Sequence, residues 1–415
     1  MNSSIPPGEE ADLAALRGLA RRLGVSEDVR LLSSWTPLPP IAPEGSPGLS
    51  GAADLLLRFS PVPVLGVTGS AGKSTTARLA EAMLLASGSE VLSAHDAPAE
   101  NAYPTADLVA RVLEARPPAW CVAELTSNHL AVCSASPHVA CITNVWPDHV
   151  DQHGSLAAYV AAKRRIVEFQ TADDWVVVNA DDSGAVELAS GSAARALPVT
   201  LAGPAADPGA GVESGRLTVR LADTTHDLGP VSSLPPSPGA ENGLLAGASA
   251  LLAGASAGAI AHVLAGWQGL AMRRERLGSV GGSDVIRDVL AATPAKAAAG
   301  LALHPPGSVI LIAGGYDDLG GGPMHSAPQE ADLFTRAAKV GARACAHAAL
   351  FGPAAPRLAE ALTGAGLASV AVHASLEEAA ADARARAEPG RTIVFAPWFS
   401  TTPGERADFP GLLGL

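Results

Sequence analysis

The chain has 415 residues, 48% of them apolar and 4% aromatic, with a formal net charge of -13 at pH 7. That length suits two or three domains, each with its own core. The acidic balance argues against a nucleic-acid or membrane-surface partner, because counterion release needs clustered Lys and Arg.

No apolar run reaches the roughly eighteen residues of a membrane span, and Met1 to Glu10 lack a basic stretch followed by an apolar one, so a cytoplasmic location is expected. Cys121, Cys133, Cys141 and Cys345 lack the close paired spacing of zinc or disulfide frameworks and read as buried small residues.

In chain order, residues 1–60 hold one helical pattern, Ala11 to Leu23, then a Pro-, Ser- and Gly-rich linker, which is too little for an independent α/β domain. Residues 61–268 alternate strand-like and helical runs: Val64 to Thr68, Thr76 to Ala86, Trp120 to Leu125, Val139 to Val145, Tyr159 to Phe169 and Trp175 to Asn179. Such alternation predicts an α/β fold with a mostly parallel sheet and helices on both faces. Ala205 to Leu228 reads as a small β element, and Asn242 to Trp267 as one helical run. Residues 269–415 alternate again and predict a second α/β domain.

The first strand runs into Gly69-Ser70-Ala71-Gly72-Lys73-Ser74-Thr75, then a helical pattern. Glycines at 69 and 72 let backbone approach a polyphosphate, and the following helix start aims N–H groups at it. Lys73 can reach the outer phosphates, and the Ser74 or Thr75 hydroxyl can hold Mg²⁺. Val67 stands where the longer Walker spacing has Gly, so the match is to G-x-x-G-K-[ST]; the bland alternative is a strand-to-helix turn that merely uses glycines.

Three downstream features carry ligating groups. Glu124 ends an apolar run, where open parallel sheets place ligands, and suits Mg²⁺; it could equally be a cap or ion pair. Thr143 to Gly154 is dense in metal and phosphate ligands, although His149 or His153 could be ordinary loop histidines. Lys163 lies on an amphipathic helix, where a Lys-Arg-Arg run would ordinarily be a solvated face.

Together these pieces resemble the Mur ligase family. The resemblance rests on Val67 to Thr76, Ala123 to Ser127, Thr143-Asn144 to Gly154, Ala158 to Lys163 and Val178 to Asp182, and covers residues 62 to about 268. Met272 to Glu275, Asp288 to Pro294 and Ile312 to Asp317 resemble the C-terminal domain of its MurD-like, glutamate-adding branch. This implies a P-loop central domain, a Rossmann-like C-terminal domain and a truncated UDP-binding first domain. It also implies an ATP-dependent, ADP-forming ligase that makes an amide through an acyl phosphate, acting on a small-molecule acid and an amine or amino acid, as a monomer.

By the same resemblance, Gly69, Ser70, Ala71, Gly72, Lys73, Ser74, Thr75, Asn242, Arg273 and Asp288 would bind ATP. Ser74, Thr75, Glu124, His149 and a carbamylated Lys163 would hold Mg²⁺, with Lys73, His149 and Lys163 as the catalytic set. Ala71, Thr293, Asp318, Ser400, Thr401 and Phe409 are substrate candidates.

The departures bear on substrate. Ala71 replaces an Asn, Glu241-Asn242-Gly243-Leu244-Leu245 keeps one residue of an adenine element, and Leu290 and Asp318 stand where two glutamate-binding lysines would be. A non-standard acid, in a specialised-metabolite pathway, is therefore expected. Glutamate addition to UDP-N-acetylmuramoyl-alanine is the alternative, as are an ATP-binding subunit without turnover and another type of P-loop kinase or hydrolase.

Overall fold

In a computed structural model of the protein, the described residues are 7–25, 28–29, 49–94, 102–148, 150–234, 239–316, 328–399 and 401–415. They form two compact units, Met1–Gln268 and Gly269–Leu415.

The first unit begins with α1 (Pro7–Arg22), the short parallel pair β1 (Asp28–Val29) and β2 (Leu49–Ser50), and α2 (Ala52–Phe59). Then come β3 (Val64–Thr68), α3 (Lys73–Ala86), β4 (Val91–Leu92), α4 (Ala106–Glu114), β5 (Trp120–Glu124), α5 (Ser127–Leu130), β6 (Val139–Ile142), α6 (Val150–His153) and α7 (Leu156–Glu168). After these follow β7 (Trp175–Asn179), α8 (Ser183–Ala189), β8 (Arg195–Val199), β9 (Gly209–Glu213), β10 (Arg216–Leu221), β11 (Thr224–Pro230), α9 (Gly239–Leu252) and α10 (Ala257–Gly266).

Nine strands form one sheet in the order β11-β10-β9-β8-β7-β6-β3-β5-β4, parallel from β8 to β4 and antiparallel at the β9–β11 end. The parallel strands read as continuous apolar runs because both faces are covered, and alternation divides their side chains between two cores. Cys121 and Ala123 join Leu16, Leu55 and Ile166 on one face, while Val122 joins Leu79, Met83 and Leu245 on the other. The N-terminal helices α1 and α2 thus share the core of the large sheet. The expected linker contains α2, whose Leu55 and Leu56 are buried and whose buried Asp54 accepts hydrogen bonds from Ser50 and from Ser134. Most of the Pro-rich stretch lies outside the described residues. The single run read from Asn242 to Trp267 is two helices, broken at Gly254 (φ +95°) and restarted by a Ser256 cap.

The second unit holds β12 (Glu275–Val280), β13 (Ser283–Arg287), α11 (Pro294–Leu301), β14 (Val309–Gly314), α12 (Pro328–Ala344), β15 (Cys345–Phe351), α13 (Ala355–Gly364), β16 (Val370–His373), α14 (Leu376–Ala385), β17 (Thr392–Trp398) and α15 (Pro403–Leu413). Its sheet runs β12-β13-β17-β14-β15-β16, parallel except for the β12–β13 hairpin. Along β14, Val309, Leu311 and Ala313 face one core and Ile310 and Ile312 the other. All four cysteines are free and buried, and no described helix is long and apolar enough to cross a membrane.

Candidate active site

β3 lies between β6 and β5, where the chain order reverses, so the loops leaving the C-terminal ends of these strands open into one crevice. The β3–α3 loop carries both glycines into it. Gly69 has φ +156°, and a Cβ there would lie 1.8 Å from Thr143 Oγ1. Gly72 has φ +83°, and its Cβ would meet Asn242 Oδ1 at 2.5 Å. Gly72 is the N-cap of α3 and gives no side-chain cap, which leaves the helix start suited to an anionic ligand.

The segment after β6 fixes the loop. Asn144 Oδ1 accepts from the amides of Ser70 (3.1 Å) and Ala71 (2.8 Å), and Thr143 Oγ1 donates to the Ala71 carbonyl (2.6 Å). The Ser70 hydroxyl bonds the Trp146 carbonyl (3.0 Å) and the Tyr159 hydroxyl (2.8 Å). The sequence alone assigns Thr143, Asn144 and Tyr159 no role. The signal available was their position directly after an apolar run and one turn before Lys163.

Ser74, in the first turn of α3, donates to Glu124 Oε2 at 2.6 Å, and Lys73 Nζ lies 3.9 Å from Glu124 Oε1. Glu124 ends β5 in register with Val67, which is why it reaches α3. A hydroxyl and a buried carboxylate are hard oxygen donors and fit Mg²⁺. Thr75 is half-buried in the same turn. Among the described residues no group of three or more His, Cys, Asp or Glu could hold a metal alone, so a cation there would need the Ser74 hydroxyl and ligand oxygens.

Lys163 is not on a solvated face. It is buried beneath the loop, donating to the Gly69 carbonyl (2.9 Å) and Thr68 Oγ1 (3.4 Å), with Nζ 5.0 Å from the Tyr159 ring centre. As an ammonium it repels a cation; only with its charge reversed does it fit one. His149 lies outside the described residues. His153 contacts Ser127 Oγ (2.9 Å) and meets Tyr159 edge-on. Burial, reinforced by Lys163 and opposed by Asp148, pushes His153 down to about 4, so it is neutral at pH 7.

Asn242 is buried, with Oδ1 accepting from Thr76 Oγ1 (3.3 Å) and Nδ2 without a protein partner. Beside it Glu241 Oε1 accepts from Asn179 Nδ2 at 3.1 Å.

In the C-terminal unit, the Arg273 amide donates to the Leu270 carbonyl at 3.3 Å, and Arg274 follows it. The Arg274 amide donates to Asp288 Oδ1 (3.2 Å) and its guanidinium to the Gly300 carbonyl (2.7 Å). Burial raises the Asp288 carboxyl, and Arg274, its backbone amide and Arg273 offset part of that rise. Thr293 caps α11, and Thr401 is buried against Arg406 (3.1 Å). Phe409 is fully buried, 4.5 Å from Phe395 centre to centre, and so belongs to the core and not to a substrate-facing loop. Asp318 and Ser400 lie outside the described residues.

The Mur ligase middle domain matches residues 67–228, and the Mur ligase glutamate ligase domain matches residues 272–399. The chain is 34% identical over 283 residues to UDP-N-acetylmuramoylalanine–D-glutamate ligase of Symbiobacterium thermophilum, covering 66% of this chain and 59% of that protein. To the enzyme of the same name from Geobacillus kaustophilus it is 32% identical over 331 residues, covering 78% and 67%. The chain thus spans about 59% of the first relative's length. Among solved structures, MurF from Acinetobacter baumannii matches with a TM-score of 0.62 at 17% identity, covering 87% of this chain and 79% of that one. E. coli FolC in complex with ADP matches at 0.60 and 18%, covering 92% and 95%. At these identities the structural likeness establishes the α/β fold.

Proposed function

The chain belongs to the Mur ligase family, and from that premise we propose that it is a cytoplasmic ATP-dependent, ADP-forming ligase that joins a carboxylic acid to an amine or amino acid. When bound with Mg²⁺, ATP would supply the phosphoryl group that makes the acid an acyl phosphate, leaving ADP; attack by the amine would then expel phosphate, release a proton and leave an amide.

The chain's own residues divide the work. Lys73 and the start of α3 place positive charge beside the transferring group. Ser74 and Glu124 hold the cation. Lys163, once carbamylated, presents a carboxylate-like oxygen beneath the loop, with His149 as a further ligand. Asn242 lines the loop at Gly72, where a Cβ would meet its Oδ1 at 2.5 Å. The observation that carries this reading is Ser74 Oγ at 2.6 Å from Glu124 Oε2, with Lys73 beside the same carboxylate. Purified protein given ATP, Mg²⁺ and panels of acids and amines should release phosphate only with a matched pair; release that never depends on the pair would sink it.

We assign the acid and amine to a pair outside peptidoglycan. Leu290 packs against apolar core residues where a lysine would have served a carboxylate, Asp318 adds negative charge at the second such position, and Ala71 removes an amide from the loop. The names of the relatives favour a second reading, UDP-N-acetylmuramoylalanine and D-glutamate. Incubation with that pair decides: formation of the amide establishes the second reading and removes the first.

A further inference from the structure

We infer that Ser70 is a positioning residue: its hydroxyl keys the phosphate loop to α7 and to the segment after β6, and it holds the loop in shape without itself touching the nucleotide. The inference rests on the proposed nucleotide site only in naming what the loop holds.

Ser70 is buried, and a hydroxyl has one proton to give and two lone pairs with which to accept. The Trp146 amide donates to Ser70 Oγ at 3.1 Å, and Oγ donates to the Trp146 carbonyl at 3.0 Å. The Tyr159 hydroxyl lies 2.8 Å from the same oxygen. All three bonds exist together only if the phenol is the donor, which fills the second lone pair. Burial raises that phenol well above its ordinary value, with Asp148 adding to the rise and Ser70 opposing it, so its proton is present to give. The Ser70 amide is spent as well, on the Asn144 carbonyl (2.9 Å) and Asn144 Oδ1 (3.1 Å). A phosphate oxygen beside Ser70 therefore finds both of its polar protons already given to the protein.

These bonds close a ring. Tyr159 and Lys163 stand four residues apart on α7 and so share one face of the helix, with Lys163 Nζ 5.0 Å from the Tyr159 ring centre. Lys163 donates to the Gly69 carbonyl at 2.9 Å, and Tyr159 reaches Ser70. Two adjacent loop residues are thus tied to two residues on one face of α7, while the Trp146 bonds tie Ser70 to the chain leaving β6. Alanine at position 70 removes one of the two ties to α7 and takes this partner from both the Trp146 amide and the buried Tyr159 hydroxyl, a loss that costs more than the bonds themselves are worth.

The test uses the full chain and two readouts, amide hydrogen exchange at Ala71 and Trp146 and ADP binding by calorimetry. Ser70→Ala should speed exchange at both amides by about tenfold and weaken ADP by a similar factor. Tyr159→Phe, which keeps the ring and removes one of the three bonds, should speed Ala71 by about threefold. The Ser70→Ala/Tyr159→Phe double variant should be no faster than Ser70→Ala, because both changes remove the same bond. A merely structural hydroxyl would lower the unfolding temperature and leave Ala71 exchange and ADP affinity as they are. That result, multiplying effects in the double variant, or acceleration spread evenly over the chain would overturn the inference. Should Ser70→Ala not fold, Tyr159→Phe must still loosen the loop, or the inference fails. If the loop loosens as expected but wild type binds no ADP, the positioning role stands and the ligase reading falls.

Discussion

Ser74 and Glu124, fifty residues apart in the chain, meet through a 2.6 Å hydrogen bond at the start of α3. Neither element could supply both donors: a helix start offers a hydroxyl and amides, and a strand end offers a carboxylate. Ser74→Ala and Glu124→Ala should each lower turnover by about 10²–10³, with a raised Mg²⁺ requirement. Their double variant should be little worse than Glu124→Ala, since both remove one cation site. Phosphate release titrated against Mg²⁺ reads both effects; independent, multiplying losses would mean the two residues do not share a site.

The loop glycines are required by space as well as by conformation. At Gly69 a Cβ would overlap Thr143 Oγ1 at 1.8 Å, and at Gly72 it would press on Asn242 Oδ1 at 2.5 Å. Gly69→Ala and Gly72→Ala should each lose about 1–3 kcal/mol of stability from left-handed strain, with overlap adding to it. Gly72→Ala combined with Asn242→Ala should recover part of the overlap term and none of the strain. Thermal unfolding of the single and double variants measures this directly.

What the sequence made legible follows from physics that acts locally. The apolar runs of β3, β5, β6 and β7 announce buried parallel strands, and a Gly-rich loop before Lys73 announces an anion site, because each signal sits within a few residues. Lys163 was harder. Its Lys-Arg-Arg neighbourhood reads as solvated, and only the packing of α7 under the loop buries it against the Gly69 carbonyl. The contact between Glu241 and Asn179 is not legible either, since it joins a helix start to the end of β7 across 62 residues of chain. α15 escaped notice because Gly404, Pro410 and Gly411 are poor helix formers; a Thr402–Glu405 capping box and the buried Phe409 and Leu413 hold it.

On the proposed reading, a carbamate on Lys163 would tie turnover to dissolved carbon dioxide. The ammonium first releases a proton to solvent; the neutral amine then adds to CO₂ and releases a second proton, leaving a carbamate anion beneath the loop. Turnover should therefore fall on thorough removal of bicarbonate and return on its addition. Lys163→Ala should lose at least about a hundredfold and recover partly with a short-chain carboxylate that fills the gap. It should also cost about 1–3 kcal/mol of stability by leaving the Gly69 carbonyl without its donor. Full turnover in rigorously bicarbonate-free buffer would rule out the carbamate.

Glu241 gives the protein a pH signature separate from its chemistry. Burial, and then the charges of Asp182 and Asp181, raise its carboxyl to about 7 from an ordinary value near 4.5, with Asn144 opposing the rise. The folded state consequently binds a proton that the unfolded chain has released between about pH 4.5 and 7. Stability from this group is fully present below the unfolded value and is lost as pH rises through the folded one, after which the penalty is constant. Glu241→Gln removes the titration and keeps an acceptor for Asn179. The variant should therefore match wild type near pH 5 and exceed it near pH 8 by up to about 3 kcal/mol, a ceiling that partial exposure lowers. Chemical denaturation of both proteins across that range measures the difference. A gap that does not widen with pH would show that Glu241 is already ionised throughout, which would place its carboxylate in a far more polar setting than its burial describes.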